Sequence, residues 1–191
     1  ENKNLMAEAG VVPLLVRFVP MTLPDVLMQA ILRLMFNLSF DKELCQKMVE
    51  ANVLPPLVTF LKKPLFRAVV LRLLYHISQD DGCKTMFTYT EAIPLVLKLI
   101  INFPQNFVAK ELVALGINLT HSPRNAEVVA DGEGLKLLVS RVLKTRDTLL
   151  MKMIRNVALW SRREQENLPE GEENPHKGLW APFVRDLYRL A

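Results

Sequence analysis

Apolar and polar residues follow a helical period in the clearest segments of the chain. In the segment RLMFNLS (33–39), the cation Arg33 and the amide Asn37 stand one helical turn apart, and Leu34 stands on the opposite side. Long strand-like alternation of β-branched residues is absent, and the sequence has only 7 glycines. The pattern therefore predicts an all-α protein whose helices carry one apolar, buried stripe and one polar stripe.

The same segment returns three more times, always with a polar residue at its fifth position. Asparagine is unfavourable inside a helix, because its amide competes for backbone hydrogen bonds. These signature residues are Asn37, His76, Asn118 and Asn156, which stand 39, 42 and 38 positions apart. The constant period, about forty residues, indicates a helical repeat architecture. The four segments are RLMFNLS (33–39), RLLYHIS (72–78), ALGINLT (114–120) and KMIRNVA (152–158).

A second landmark keeps the same period. Two apolar residues, a proline and further apolar residues recur, with Lys136 in place of the proline in the fourth copy. Proline suits the first turn of a helix, where no backbone N–H is needed. Two independent landmarks with one period predict three helices per unit, which is the armadillo pattern. The copies are VVPLLV (11–16), VLPPLV (53–58), AIPLVL (92–97) and GLKLLV (134–139).

Each predicted unit has a short first helix, a second helix that begins at the proline and a longer third helix that carries the signature residue. The N-caps of two first helices are expected at Asp41 and Ser122. The expected first helices are 41–51, 81–92 and 122–132, and the expected third helices are roughly 26–40, 66–79, 107–121 and 147–160.

These elements predict an armadillo-repeat, right-handed superhelical solenoid that is part of a longer array. Residues 1–160 should form about four repeats, of which the first and last are incomplete. Residues 161–178, which are acidic and contain proline and glycine, should form an extended loop. An acidic docking tail is the alternative for this segment. Residues 179–191 should form a helix of a further partial repeat.

Composition and motifs exclude several functional classes. The 24 Lys and Arg against 20 Asp and Glu give a net charge of +4, which is far from a nucleic-acid-binding tail. Cys45 and Cys83 give no disulfide framework and are expected to be reduced core thiols of a cytosolic protein. No apolar run is long enough to cross a bilayer, and no catalytic motif occurs. We therefore expect no enzyme activity, no cofactor, no nucleic-acid partner and no membrane insertion.

A metal site was the remaining chemical possibility. His76 and Asp80 are four residues apart and can share a helix face, and Asp81 follows. A third ligand is not evident, and the two aspartates also make a sensible helix cap. No metal site is therefore predicted.

Several segments resemble the kinesin-associated protein family, the accessory subunits of heterotrimeric kinesin-II. The segments are RLMFNLSFD (33–41), LYHISQDD (74–81), INLT (117–120) and LLMKMIRN (149–156). The resemblance implies an armadillo core and a non-enzymatic adaptor. Such an adaptor binds the tail region of the motor chains and links them to cargo in ciliary or vesicle transport. It implies a cytoplasmic, microtubule-associated and ciliary location. Another armadillo adaptor, catenin-like or nuclear-import-like, remains the alternative.

In this architecture the third helices line one concave groove, and the signature residues should face it. A primary amide donates and accepts hydrogen bonds, so it can hold the backbone of an extended peptide. Alternatively, each signature residue bonds a carbonyl of the neighbouring repeat and holds the stack together. The cations beside the signature residues favour an acidic partner segment, or they are solvated charges. The predicted partner-binding residues are Arg33, Asn37, Arg72, His76, Lys110, Asn118, Lys152 and Asn156.

Trp160 and Trp180 flank the acidic segment. Large aromatic residues either anchor such a segment or mark an interaction hot spot. Both interpretations stay open from the sequence.

Overall fold

The computed structural model describes residues 5–6, 9–169, 172 and 176–188. All regular secondary structure in these ranges is helical. The chain divides into two compact units, Glu1–Ala92 and Ile93–Ala191, and each is described separately below. Within the described ranges, no helix combines the length and the apolar character needed to span a membrane.

The first unit contains six helices that lie wholly within the described residues, and a single 3₁₀ turn, Phe87–Tyr89, follows the last of them. Two of them, α2 and α5, are the long helices that carry the signature residues Asn37 and His76, and they pack against each other. The helices are α1 (Val11–Phe18), α2 (Asp25–Leu38), α3 (Lys42–Glu50), α4 (Leu54–Phe60), α5 (Pro64–Ile77) and α6 (Asp81–Met86).

The second unit repeats this order. Its long helices α8 and α11 carry Asn118 and Asn156 and also pack against each other. The helices are α7 (Ala92–Ile101), which begins at the boundary between the units, α8 (Lys110–His121), α9 (Pro123–Asp131), α10 (Gly134–Thr145), α11 (Met151–Glu166) and α12 (Val184–Tyr188).

The three-helix repeat is confirmed in both units. Helices α3, α4 and α5 form one complete short–short–long set, and α9, α10 and α11 form another. The three prolines of the second landmark lie in the first turn of their helices, as expected because proline has no N–H. Lys136 takes the same position in the fourth copy. The all-α repeat class predicted from the sequence is therefore confirmed.

The apolar stripe of the long helices is buried, as predicted. The residues three positions before the signature residue are Leu73, Leu115 and Met153, and all are at most 1% exposed; Leu34 in the first copy is half-buried. Gly116 lies in this interface, and a Cβ atom there would stand 2.8 Å from the Met153 sulfur. A glycine at this position therefore lets α8 and α11 approach closely.

Three of the boundaries expected near the end of the chain differ from the structure. Helix α11 begins at Met151 rather than near residue 147 and continues to Glu166, so residues 161–166 are helical and do not belong to a loop. Buried Trp160 and Ser161 extend the packed face, and an Arg162–Glu166 ion pair at 2.7 Å supports the last turn. The predicted helix 179–191 is reduced to Val184–Tyr188, and residues 189–191 lie outside the described residues.

The helix caps agree with prediction at one position and differ at another. The Asp41 carboxylate accepts hydrogen bonds from the backbone N–H groups of Glu43 and Leu44, at 2.9 and 3.2 Å. Ser122 occupies the N-cap position of α9 as predicted, but its buried hydroxyl makes no capping hydrogen bond. Asp80 caps α6, in line with the helix cap expected at Asp80 and Asp81, because its carboxylate accepts from the Cys83 N–H at 3.0 Å.

Candidate partner-binding face

In the first unit, the predicted site residues come together on the outer side of two packed helices. Arg33 and Asn37 are exposed on α2, Arg72 is exposed on α5, and His76 is half-buried beside them. Helices α2 and α5 pack against each other, so these four residues form one surface. We call the exposed surface of α2 and α5 the first third-helix face.

His76 bonds the preceding repeat. Its Nδ1 lies 2.9 Å from the Ser39 hydroxyl oxygen, which itself lies 2.7 Å from the Phe36 carbonyl oxygen. A serine hydroxyl has one proton, and a carbonyl oxygen can only accept. Both contacts are hydrogen bonds only when the Ser39 hydroxyl donates to the Phe36 carbonyl oxygen and His76 donates from Nδ1–H. Neutral His76 then keeps Nε2 as a hydrogen-bond acceptor.

The His76 ring also packs among aromatic side chains. Its centroid lies 5.0 Å from that of Phe36 and 4.5 Å from that of Phe40, and the Phe40 ring stands edge-on at 78°. Burial lowers the pKa of His76 from its ordinary value near 6.5, while a hydrogen bond with the Ser39 main chain opposes this shift. The lowered pKa favours the neutral form of the side chain at pH 7.

A cleft of about 410 Å³ opens beside His76 at the C-terminal ends of α2 and α5. The Lys42 ammonium lies 2.9 Å from the Asp80 carboxylate on its rim. Because the Asp80 carboxylate accepts from the Cys83 N–H and from Lys42, its pKa falls to about 2. The cleft is lined by Ser39, Phe40, Lys42, Cys45, His76, Gln79, Asp80, Asp81 and Gly82.

The two cysteines are buried and carry protonated thiols. The Cys45 S–H donates to the Ser39 carbonyl oxygen at 3.1 Å. Burial is the main cause that raises the pKa of Cys45 to about 11 and that of Cys83 to about 12. A thiolate is the reactive form of cysteine, so neither side chain is suited to nucleophilic chemistry.

The second unit has an equivalent surface on α8 and α11, the second third-helix face. Lys110 and Lys152 are exposed there, and Asn118 and Asn156 are half-buried. The Asn156 side-chain amide donates to the Ile117 carbonyl oxygen at 3.0 Å and to the Thr120 hydroxyl at 3.2 Å. Asn156 therefore joins α11 to the end of α8.

His76 and Asn156 make the same kind of contact in the two units. Each bonds the hydroxyl two residues after the preceding signature residue, Ser39 in one unit and Thr120 in the other. Each hydroxyl also lies within hydrogen-bond distance of a carbonyl oxygen of its own helix. The geometry at both positions is the repeat-stacking contact, which was the alternative to direct ligand contact. The sequence does contain a signal for this contact. A serine or threonine follows the signature residue by two positions in NLS, HIS and NLT, but the sequence-based prediction considered only the signature residue itself.

Two residues that the sequence analysis did not single out, Arg141 and Asp147, hold the loop before α8. The Arg141 guanidinium donates to the carbonyl oxygens of Phe103 at 2.8 Å and of Ile101 at 3.3 Å, and also contacts the Gln105 carbonyl oxygen. The buried Asp147 carboxylate accepts from the Val108 N–H at 2.9 Å. These contacts fix the residues that lead into the second third-helix face.

Trp160 contacts the segment that follows α11. Its ring lies 4.7 Å from the His176 ring, and the His176 Nδ1 lies 3.6 Å from the Asp131 carboxylate. Trp160 is 6% exposed and Trp180 is half-buried. These contacts favour the anchoring role for Trp160 over a hot spot on the open surface.

Metal-ligand chemistry finds little support in this geometry. His76 and Asp80 both line the first-unit cleft, but Asp80 is engaged by Lys42 and by the Cys83 N–H. Among the described residues, no three His, Cys, Asp or Glu side chains converge in a way that would hold an ion.

Known structures share this fold at low sequence identity. An engineered protein matches with a TM-score of 0.66 and 14% identity, covering 99% of this chain and 84% of that one. A designed armadillo repeat protein, solved with the peptide (KR)4, has a TM-score of 0.62 and 17% identity, covering 99% and 85%. A second designed armadillo repeat protein has a TM-score of 0.62 and 18% identity, covering 99% and 86%. These likenesses assign the fold to the armadillo class.

The family is assigned by sequence. The family model for kinesin-associated protein (KAP) matches residues 1–168, which include all four signature segments and every long helix of both third-helix faces. The repeat period, the three-helix units and this match agree with one another. The chain belongs to the kinesin-associated protein (KAP) family.

Proposed function

We propose that this chain is part of a non-catalytic adaptor subunit of a kinesin-II motor, which binds the tail chains of the motor and links them to cargo. Membership of the kinesin-associated protein family and the armadillo fold support this role. We place its work in the cytoplasm on microtubules, in ciliary or vesicle transport. The remaining proposal concerns which surface of the chain does the binding.

The third-helix faces are the proposed binding surfaces. The observation that carries the proposal is the placement of exposed cations one turn before the signature residues: Arg33 and Arg72 in the first unit and Lys152 in the second. Ala114 takes this place before Asn118, but exposed Lys110 lies one turn earlier. On each face, a pair of exposed cations attracts an acidic or acidic-amphipathic segment through charge-assisted hydrogen bonds. The contacts are solvent-exposed, so each should contribute about 0.5–1 kcal/mol and weaken with salt.

The sign of the charge distinguishes this proposal from a basic-peptide adaptor. One of the designed armadillo proteins with the same fold was solved with the basic peptide (KR)4. Arg33 and Arg72 would repel such a peptide on the first third-helix face. An acidic partner is therefore the better match for this chain.

The test is charge reversal carried out one unit at a time. Arg33→Glu with Arg72→Glu changes the first third-helix face, and Lys110→Glu with Lys152→Glu changes the second. The matched controls are Arg17→Glu with Lys62→Glu and Arg124→Glu with Lys136→Glu. Each control changes the net charge by the same amount with exposed residues outside the long helices.

The readout is a titration of each folded variant with the motor tail chains at low and at high salt. A face that binds an acidic segment should lose about 5- to 30-fold in affinity at low salt, the sum of two exposed ion pairs, and less at high salt. The controls should lose much less. If both face variants bind like the controls, the third-helix faces are not the binding surfaces.

A further inference from the structure

The cleft beside His76 presents an aromatic side chain without a cover. The Phe40 side chain is 64% exposed, although its ring packs edge-on against His76 and lies 5.3 Å from Phe36. The volume of about 410 Å³ is at the lower end of the ~300–1,000 Å³ range of ligand pockets and suits a single side chain.

The charged groups around the cleft are paired with one another. The Lys42 ammonium lies 2.9 Å from the Asp80 carboxylate, and the Lys84 ammonium lies 2.7 Å from the Asp81 carboxylate. A charged ligand would therefore have to compete with an existing ion pair on either side. The lining is suited to a neutral side chain that packs on Phe40.

The hydrogen bonds of Ser39 determine which polar group His76 offers to a neutral ligand in the cleft. Because the Ser39 hydroxyl gives its proton to the Phe36 carbonyl oxygen, the His76 Nδ1 carries the ring proton. His76 lines the cleft, and its other ring nitrogen, Nε2, is then an acceptor. A neutral ring that carries a donor and no acceptor is the matching ligand.

We propose that the cleft is a subsite for a tryptophan side chain of a partner protein, with the indole ring packed on Phe40 and the indole N–H donated to Nε2 of His76. Indole is the natural side chain that combines a large apolar ring with a donor-only N–H. Tryptophan is also enriched at the centres of interfaces, where it fills small pockets. This inference goes beyond the proposed function and does not depend on which protein carries the tryptophan or on the charge of the third-helix faces.

The first test is the protonation state of His76 in the unbound chain. Nitrogen NMR of the imidazole ring at pH 7.5 should show a proton on Nδ1 and none on Nε2. A proton on Nε2 would remove the acceptor and overturn the proposal.

The second test uses blocked tripeptides and the NMR signals of labelled His76 and Phe40. Acetyl-Gly-Trp-Gly-amide should shift both signals in a saturable way, and His121 and His176 serve as internal references. Replacing the indole N–H by sulfur, as in benzothienylalanine, keeps the ring and removes the donor. We expect this change to weaken binding about 2- to 10-fold, as for one lost neutral hydrogen bond. Two further peptides carry tyrosine or glutamate in place of the tryptophan. Equal binding of the tryptophan and benzothienylalanine peptides, or stronger binding of the tyrosine or glutamate peptide than of the tryptophan peptide, would overturn the proposal.

Variants locate the ring contact. Phe40→Ser should abolish saturable binding of the tryptophan peptide. The matched control is Tyr89→Ser, because Tyr89 is similarly exposed, at 66%, in the same unit but does not line the cleft. Circular dichroism checks that both variants fold. Unchanged binding by folded Phe40→Ser would place the peptide elsewhere on the surface and contradict the assignment.

Discussion

Replacing Asn156 by alanine should destabilise the second unit, because the Asn156 amide bonds the end of the preceding long helix. The variant loses two donated hydrogen bonds, to the Ile117 carbonyl oxygen and to the Thr120 hydroxyl. A neutral hydrogen bond contributes about 0.5–1.5 kcal/mol to the free energy of unfolding, so the two together contribute about 1–3 kcal/mol. Alanine has the higher helix propensity and returns roughly 0.5 kcal/mol.

Asn37→Ala is the matched control. It makes the same chemical change at the equivalent position of α2, and it gains the same helix propensity. Asn37 is exposed, whereas Asn156 is half-buried against α8. The control should therefore leave the free energy of unfolding unchanged or raise it slightly. The difference between the two variants isolates the contact between repeats.

Urea unfolding followed by circular dichroism measures this difference. With a slope of about 2 kcal/mol per molar urea, the unfolding midpoints of the two variants should differ by about 0.5–1.5 M. Asn156→Ala should have the lower midpoint. Equal midpoints would refute the conclusion that the signature side chain holds adjacent repeats together, and would return Asn156 to a role in ligand contact alone.

Three further results are expected. Asp147→Asn should lower the free energy of unfolding by about 1.5–3 kcal/mol and speed amide exchange at Val108, because a charged acceptor for that N–H is lost; unchanged exchange would contradict the role of Asp147. Cys45 and Cys83 should resist a thiol reagent at pH 8 until the chain is unfolded in urea, because their pKa values are raised to about 11 and 12; rapid labelling of the native chain would show that they are accessible thiolates. The pKa of Asp80 is lowered from 3.8 to about 2, so its contribution to stability is present above pH 4 and is lost as the pH falls towards 2. Asp80→Asn should therefore flatten the melting temperature between pH 4 and 2, and an unchanged slope would count against the low pKa.

The repeat architecture could be predicted from the sequence because the same residue patterns recur at a regular spacing. The signature residues and the second landmark share one period of about forty residues. A helical pattern with few glycines and this period fits few architectures other than a helical repeat. The Asp41 cap was also predictable, because an aspartate before a helix accepts from the backbone N–H groups two and three positions later.

Contacts between repeats could not be predicted from spacing alone. The contact of His76 with Ser39 depends on how two long helices pack, and the sequence alone left both roles of the signature residue open. Similarly, a polar composition predicted a loop from residue 161, but burial of Trp160 and Ser161 extends α11 to Glu166. Tertiary packing overrode the local composition there. The hydrogen bonds from Arg141 to backbone carbonyl oxygens likewise correspond to no recognisable sequence motif.

The most direct test of the proposed binding surface is site-specific photo-crosslinking. A benzophenone amino acid is placed at Arg33 or Lys152 on the third-helix faces, and at the exposed control position Lys136 on α10. Each variant is irradiated with the motor tail chains, and the crosslinked products are identified by mass spectrometry. Our account predicts crosslinks from Arg33, Lys152 or both to an acidic segment of the tail, with little product from Lys136. Efficient crosslinking from Lys136 alone would contradict it.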